Sequence, residues 1–134
     1  MKVRISTLNI ETQIGSTYLR DDGIIHYTAK NRSMDVLATA KANVKAIRQV
    51  AFYQKRPLLA DIRGNVYQSK ESKAYYTSDE MAKYFSGIAL IIGNGIYSVK
   101  ENFFMGLYQP KVPTKLFTSE VKAIEWLKML INEK

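Results

Sequence analysis

The chain has 134 residues, which is the size of one domain, and its composition of 46% hydrophobic and 24% charged residues excludes disorder as the default state. It has no cysteine and one histidine, His26, which excludes disulfide scaffolds, thiolate metal sites and multi-histidine metal sites, so we expect no metal and no cofactor. The net charge of +8 is scattered along the chain, a pattern more typical of a solvated surface than of a nucleic-acid footprint.

The first part of the chain predicts a β-hairpin. Residues 1–15 alternate loosely in polarity and predict an arm or an extra strand, with the domain itself covering residues 16–134. Ser16–Arg20 and Gly23–Ala29 have the composition of strands. The intervening Asp21-Asp22 leads into Gly23, which accepts the positive φ that hairpin turns require.

A helix is predicted next. Between Asp35 and Phe52, apolar residues recur at three- and four-residue steps, which places them on one helical face. Either Ser33 or Asp35 is a suitable cap for the start of this helix. The same helix has a basic stripe, Lys41, Lys45 and Arg48, which an acidic partner or anionic lipid headgroups could use, although an ordinary solvated face is the favoured interpretation.

The second part of the chain alternates strands and helices. Two nearly continuous apolar runs, residues 58–62 and 88–92, are typical of parallel strands that are buried on both faces, and we expect them to lie side by side. Ser69 to Phe85 is predicted to be helical in two pieces, separated by a capping box of Thr77 and Glu80. A further helix is predicted over Ile96 to Leu107, and an edge strand over Thr114–Phe117.

The terminal segment predicts a last helix, capped by Thr118, whose inward face is Val121, Ile124, Leu127 and Ile131. The order of elements predicts an α/β fold with a mixed sheet of about five strands, parallel at its centre. No apolar run reaches the about 18 residues that span a bilayer, and no apolar signal region follows the first charges, so we expect a cytoplasmic protein.

This order of elements resembles the STAS domain, the fold of bacterial anti-sigma-factor antagonists, and its CRAL-TRIO-like lipid-binding relatives. The resemblance is strongest to small single-domain bacterial proteins of uncharacterised function. It rests on the segments Tyr18–Ile24, Arg56–Gly64 and Leu116–Thr118 followed by Ala123–Leu127. It implies a module without enzymatic activity that acts through protein contacts, with a regulatory role.

The resemblance also implies a position for a phosphoswitch. In anti-sigma-factor antagonists a partner kinase phosphorylates a serine at the start of a helix, within an Asp-Ser-Ser-Gly-like turn. Here that segment is Gln68-Ser69-Lys70-Glu71-Ser72, without the flanking aspartate and glycine. A phosphate at this helix start would meet free N–H groups. A plain N-cap serine is the favoured alternative. The candidate phosphoswitch or partner-binding residues are Ser69, Ser72, Lys70 and Lys73.

A second candidate is a crevice at the ends of the two apolar strands, where open α/β sheets bind ligands. Asp61 there could contact a partner or act as an acid or base, but a structural pair with Arg63 is favoured. Gly93 to Ser98 is a partial dinucleotide fingerprint, for which a tight turn is the favoured interpretation. The crevice residues are Asp61, Arg63, Gly64, Gly93 and Gly95.

Aromatic residues form the third candidate. Tyr67, Tyr75, Tyr76, Tyr97 and Phe104 flank the predicted helices and could line an apolar pocket or a homo-oligomer interface, with core packing as the commonest explanation. The functional alternative to a protein-binding module is therefore a small binding protein for a lipid or another apolar ligand. An enzyme that uses Asp61 is a third and weaker hypothesis.

Overall fold

The computed structural model describes residues 8–93 and 111–132. The first half of the fold consists of β1 (Asn9–Glu11), β2 (Gly15–Leu19), β3 (Ile25–Ala29), β4 (Ser33–Asp35), α1 (Leu37–Val50) and β5 (Arg56–Asp61). The second half consists of β6 (Asn65–Gln68), α2 (Lys70–Tyr76), α3 (Met81–Tyr84), β7 (Phe85–Ile91), β8 (Thr114–Phe117) and α4 (Glu120–Asn132). The predicted helix over Ile96 to Leu107 and the candidates Gly95, Tyr97 and Phe104 lie outside the described residues.

In the part of the chain that the structure describes, the main sheet has six strands in the order β1-β2-β3-β5-β7-β8. The pairs β1–β2 and β2–β3 are antiparallel, whereas β3, β5, β7 and β8 run parallel to one another. Leu58 lies opposite Ile88, and Asp61 lies opposite Ile91, so the two apolar runs are neighbours at the centre of the sheet as predicted. The extra N-terminal strand is present as β1, which brings the sheet to six strands.

The hairpin of β2 and β3 turns at Gly23, whose φ of 85° lies in the region that favours glycine. Asp22 supports this turn in two ways. Its carboxylate accepts the backbone N–H of Ile24 at 3.2 Å and forms an ion pair with Arg20 at 2.9 Å. The predicted turn chemistry is therefore confirmed.

Each face of the sheet has its own hydrophobic core. The face that we call the front packs α1 and α3 against the strands, through Val44, Ile47 and Met81. The opposite, back face packs α4 through Ala123 and Leu127, both fully buried. Strands β5 and β7 contribute side chains to both cores, which explains why they are apolar without alternation.

The predicted inward face of the terminal helix is partly wrong. Val121 is 66% exposed and Ile131 is 38% exposed, because the stripe of α4 that meets the sheet is centred on Ala123 and Leu127. The cap is also shifted by one residue, since the Ser119 hydroxyl, and not that of Thr118, accepts the N–H of Lys122.

The predicted capping box of Thr77 and Glu80 is also wrong. Thr77 ends α2, and its hydroxyl donates to the carbonyl of Lys73 at 3.0 Å, while Glu80 precedes α3 without a side-chain cap bond. At the start of α1 neither Ser33 nor Asp35 is the cap residue. Val36 takes that position, and its N–H donates to the Thr39 hydroxyl at 2.8 Å.

A second, two-stranded sheet pairs β4 with β6 in parallel, with Met34 opposite Tyr67. This small sheet was not predicted. It connects the end of β3 to the start of α1, and the end of β5 to the start of α2. It therefore fixes where both helices begin, above the same end of the main sheet.

Candidate functional site

A cavity of about 120 Å³ lies between the front face of the sheet and the helices α1, α2 and α3. Most of its lining is apolar, with contributions from Ile47, Leu58, Ala60, Met81, Ile88 and Leu90. The polar part of the lining includes Tyr27, Asp35, Asn43, Lys73 and Tyr76. A largely apolar cavity with a few polar groups is the usual form of a small-molecule site.

Asp35 organises the polar end of this cavity. Asp35 is only 3% exposed. Its carboxylate accepts hydrogen bonds from the hydroxyls of Thr39 and Tyr76, each at 2.7 Å. Its backbone carbonyl accepts the N–H of Ser69 at 2.9 Å and the hydroxyl of Ser72 at 3.2 Å. One residue thus joins β4 to the starts of α1 and α2.

The two tyrosines beside Asp35 stay protonated. Burial raises the pKa of the Tyr27 and Tyr76 hydroxyls well above the ordinary tyrosine value, and the negative charge of Asp35 raises the pKa of both further. Each hydroxyl is therefore a donor, from Tyr76 to Asp35 and from Tyr27 to the carbonyl of Ile14 at 3.3 Å.

The serines at the start of α2 are engaged in local structure. Ser69 is 7% exposed, and its hydroxyl oxygen accepts the N–H of Ser72 at 3.1 Å as the N-cap of the helix. Ser72 is completely buried. Lys70 is exposed, whereas Lys73 is half-buried and lines the cavity. The favoured interpretation of Ser69 as a cap is confirmed, and a kinase would have to open this cap to reach the hydroxyl.

Asp61 and Arg63 form a two-pronged ion pair at the end of β5. The Arg63 guanidinium donates to the two carboxylate oxygens at 2.9 and 2.7 Å, and its backbone N–H adds a third bond at 3.2 Å. Burial raises the pKa of Asp61, but the hydrogen bonds from Arg63 outweigh burial, so that this pKa lies below its ordinary value. The Asp61 carboxylate is therefore held in an ion pair with Arg63, as the structural interpretation predicted.

The crevice glycines differ from each other. A Cβ on Gly64 would lie 2.6 Å from the carbonyl oxygen of Lys30, so this glycine is required by the close approach of two backbone segments. Among the described residues, a Cβ on Gly93 would meet only the Arg63 side chain, at 3.9 Å. The structure therefore shows a packing requirement at Gly64 that it does not show at Gly93.

Sequence reasoning missed a polar cluster around His26 on the back face. The Nδ1 atom of His26 lies 3.0 Å from the Tyr18 hydroxyl, and Nε2 lies 3.4 Å from the Glu120 carboxylate on α4. Burial lowers the pKa of His26. The predicted hairpin contains both His26 and Tyr18, so their contact could have been found from the pairing of β2 and β3. The contact with Glu120 could not, because it depends on how α4 packs against the sheet. Within residues 8–93 and 111–132, no group of three His, Asp or Glu side chains is placed to hold a metal ion.

The aromatic candidates separate into two environments. Tyr76 lines the cavity, and Tyr75 lies beside it with a ring-centroid distance of 6.1 Å. Tyr67 instead projects from the small sheet and is 49% exposed. It belongs to a group of exposed apolar side chains that we call the β4–β6 patch, which consists of Met34, Val36, Val66 and Tyr67.

The six-stranded mixed sheet with helices on both faces has a SpoIIAA-like, or STAS-like, fold. It is similar to the crystal structure of an uncharacterized protein of the DUF3478 family from Shewanella loihica PV-4, described as having a SpoIIAA-like fold. The TM-score is 0.53 at 16% sequence identity, with 90% of each chain covered. The STAS-like fold expected from the sequence is thus confirmed.

The chain itself belongs to the family described as a domain of unknown function, DUF7793, whose model matches residues 17–131. No curated protein matches the chain in sequence. Among the described residues, the helices are too short or too polar to cross a membrane.

Proposed function

We propose that this protein is a non-enzymatic, cytoplasmic STAS-like module that acts by binding another protein in a regulatory role. The observation that supports this most directly is the β4–β6 patch. Its members are 60% (Met34), 41% (Val36), 66% (Val66) and 49% (Tyr67) exposed, although all lie on or directly beside two short paired strands. Met34 and Tyr67 lie opposite each other in the strand pairing, so two exposed apolar side chains are neighbours, and exposed apolar groups of this kind are characteristic of interaction surfaces.

The surroundings of the patch favour a partner with an acidic rim. Lys30 and Arg32 precede β4, Lys70 follows β6, and all three are exposed. With the exposed Glu71 counted, three cations and one anion lie next to the patch in sequence, and an excess of positive charge favours a negatively charged partner and increases the rate of association. The patch also adjoins Ser69, the position to which the STAS resemblance assigns the regulatory switch.

The polar groups at the ends of the parallel strands support a non-enzymatic role. Asp61 is held by Arg63, and Asp35 by Tyr76 and Thr39, each through a hydrogen bond of 2.7 Å. Both carboxylates are held in place by bonds within the fold, which is the usual environment of a structural polar group.

Affinity capture with matched variants tests the proposal. The tagged wild type and a Met34→Asp/Tyr67→Asp variant are used to capture proteins from the native cell. The control is Val121→Asp/Met129→Asp, because those side chains on α4 are comparably exposed at 66% and 59%. We expect one protein to be captured by the wild type and the control and lost by the patch variant, with all three giving the same circular dichroism spectrum.

Two results contradict the proposal. The first is a set of captured proteins that is the same for the patch variant and the wild type. The second is capture of nothing beyond further copies of the chain itself, which assigns the patch to self-association.

A further inference from the structure

The cavity on the front face is not required by a module that acts only through its surface. Its volume of about 120 Å³ is close to that of engineered apolar cavities that bind benzene, about 150 Å³, and well below the roughly 300 to 1,000 Å³ of sites for drug-sized ligands. This size fits a single-ring molecule and disfavours a long-chain lipid as the occupant.

The polar end of the cavity determines what the occupant must offer. An ionised carboxylate has about four acceptor positions. The hydroxyls of Thr39 and Tyr76 fill two of those on Asp35, and among the described residues no lysine or arginine forms an ion pair with it. A buried carboxylate without a counter-charge gains stability from each further donor that reaches it.

The charge of the occupant follows from the two ionic groups in the lining. A carboxylate ligand would meet the negative charge of Asp35, and an ammonium ligand would meet the positive charge of Lys73, which lines the same cavity. An uncharged donor avoids both repulsions and can still bond to Asp35.

We propose that the cavity between α1, α2, α3 and the sheet is a binding site for a small uncharged molecule of single-ring size, such as a phenol, whose hydroxyl donates to Asp35. The apolar body of the ligand packs against Leu58, Ala60 and Ile88, which line the cavity from the sheet. This site is independent of the β4–β6 patch, so either assignment can fail alone.

The test is a titration of the ¹⁵N-labelled full chain with phenol, toluene and benzoate, followed by amide chemical shifts. Phenol and toluene share a ring and differ in the donor, while benzoate adds a negative charge. We expect saturable shifts at cavity residues and an affinity for phenol about tenfold higher than for toluene, as one hydrogen bond to a charged group predicts. Benzoate is expected to bind more weakly than phenol.

Two variants separate the contributions of shape and chemistry. Asp35→Asn removes the charged acceptor and is expected to reduce the preference for phenol over toluene. Ala60→Leu fills the cavity and is expected to abolish binding of both, whereas the same change at the exposed Ala38 of α1 leaves binding unaltered.

Three results overturn the inference: shifts that do not saturate or do not map to the cavity lining, equal affinities for phenol and toluene, and tighter binding of benzoate than of phenol. The last of these would mark an anion site at Lys73.

Discussion

The hydroxyl of Tyr76 donates a 2.7 Å hydrogen bond to the carboxylate of Asp35, which lies 41 residues earlier in the chain. This bond joins α2 to the junction between β4 and α1. The same carboxylate accepts a hydrogen bond from the Thr39 hydroxyl. The backbone carbonyl of Asp35 accepts two more, from the N–H of Ser69 and from the hydroxyl of Ser72. The polar end of the cavity is therefore also a structural junction, and its contribution to stability can be measured.

We expect Tyr76→Phe to lower the free energy of unfolding by about 1.5–3 kcal/mol, because a buried carboxylate loses one of its donors. Tyr84→Phe is the matched control. The Tyr84 hydroxyl also donates to a carboxylate at 2.7 Å, that of Glu80, but this bond is exposed to solvent, and its loss should change stability by less than about 0.5 kcal/mol. Urea denaturation gives the free energy of unfolding of both variants. Equal losses would show that the buried bond from Tyr76 to Asp35 contributes no more stability than the exposed bond from Tyr84 to Glu80.

The two crevice glycines should respond differently to alanine. Gly64→Ala forces a Cβ to within 2.6 Å of a backbone carbonyl oxygen and 2.9 Å of a second one, so the backbones must separate. We expect a loss of about 1–3 kcal/mol, as for other overpacked positions. No described residue would crowd a Cβ on Gly93, so Gly93→Ala should be close to neutral. Thermal unfolding compares the two, and a neutral Gly64→Ala would disprove the close approach.

Removal of the cap hydroxyl at the start of α2 should cost about 1 kcal/mol, which is the typical loss for Ser→Ala at an N-cap. The variant is Ser69→Ala. Ser86→Ala on β7 is the control, since that half-buried hydroxyl makes no hydrogen bond with a described residue. An unfolding midpoint of Ser69→Ala that matches that of the wild type would show that the hydroxyl contributes nothing as a cap.

His26 should make the protein less stable in mild acid. Burial lowers the pKa of His26 below the ordinary value of 6.5, an effect that outweighs the opposing attraction of Glu120. Between pH 6.5 and the folded-state pKa, the unfolded chain binds more protons than the folded chain. Stability is therefore complete above that window and falls as the pH is lowered through it.

Two measurements check this expectation. The chain has a single histidine, so an NMR titration reports the pKa of His26 directly. Unfolding at a series of pH values should show a slope for the wild type that His26→Gln lacks. The lowered pKa values of Asp22 and Asp61 also make stability depend on pH, but only below about pH 4, which is more acidic than the range in which His26 titrates in the unfolded chain. A titration midpoint above 6.5 would contradict the assigned burial.

The sequence predicted those parts of the fold that depend on a few neighbouring residues. Gly23 specified the hairpin, and the apolar runs of β5 and β7 identified the centre of the sheet. The β4–β6 sheet was missed because its strands are only three and four residues long and lack the length of a recognisable pattern.

The candidate site was predictable only in fragments. Ser69, Ser72 and Tyr76 were recognised separately, but what brings them together is Asp35, and its role depends on a contact with a residue 41 positions away. The inward face of α4 likewise depends on which residues meet the sheet, and the structure buries Ala123 and exposes Val121. Periodicity alone cannot make that choice.

The parallel centre of the sheet has a consequence for how the chain refolds. Strands β2 and β3 can pair across their tight turn within about 1–10 μs, whereas β3, β5 and β7 can pair only after long intervening segments have been brought into register. During that delay the most apolar strands have unsatisfied edges that can associate between molecules. The yield of native protein after dilution from urea should therefore fall as chain concentration rises, while the stability of the molecules that do refold stays the same.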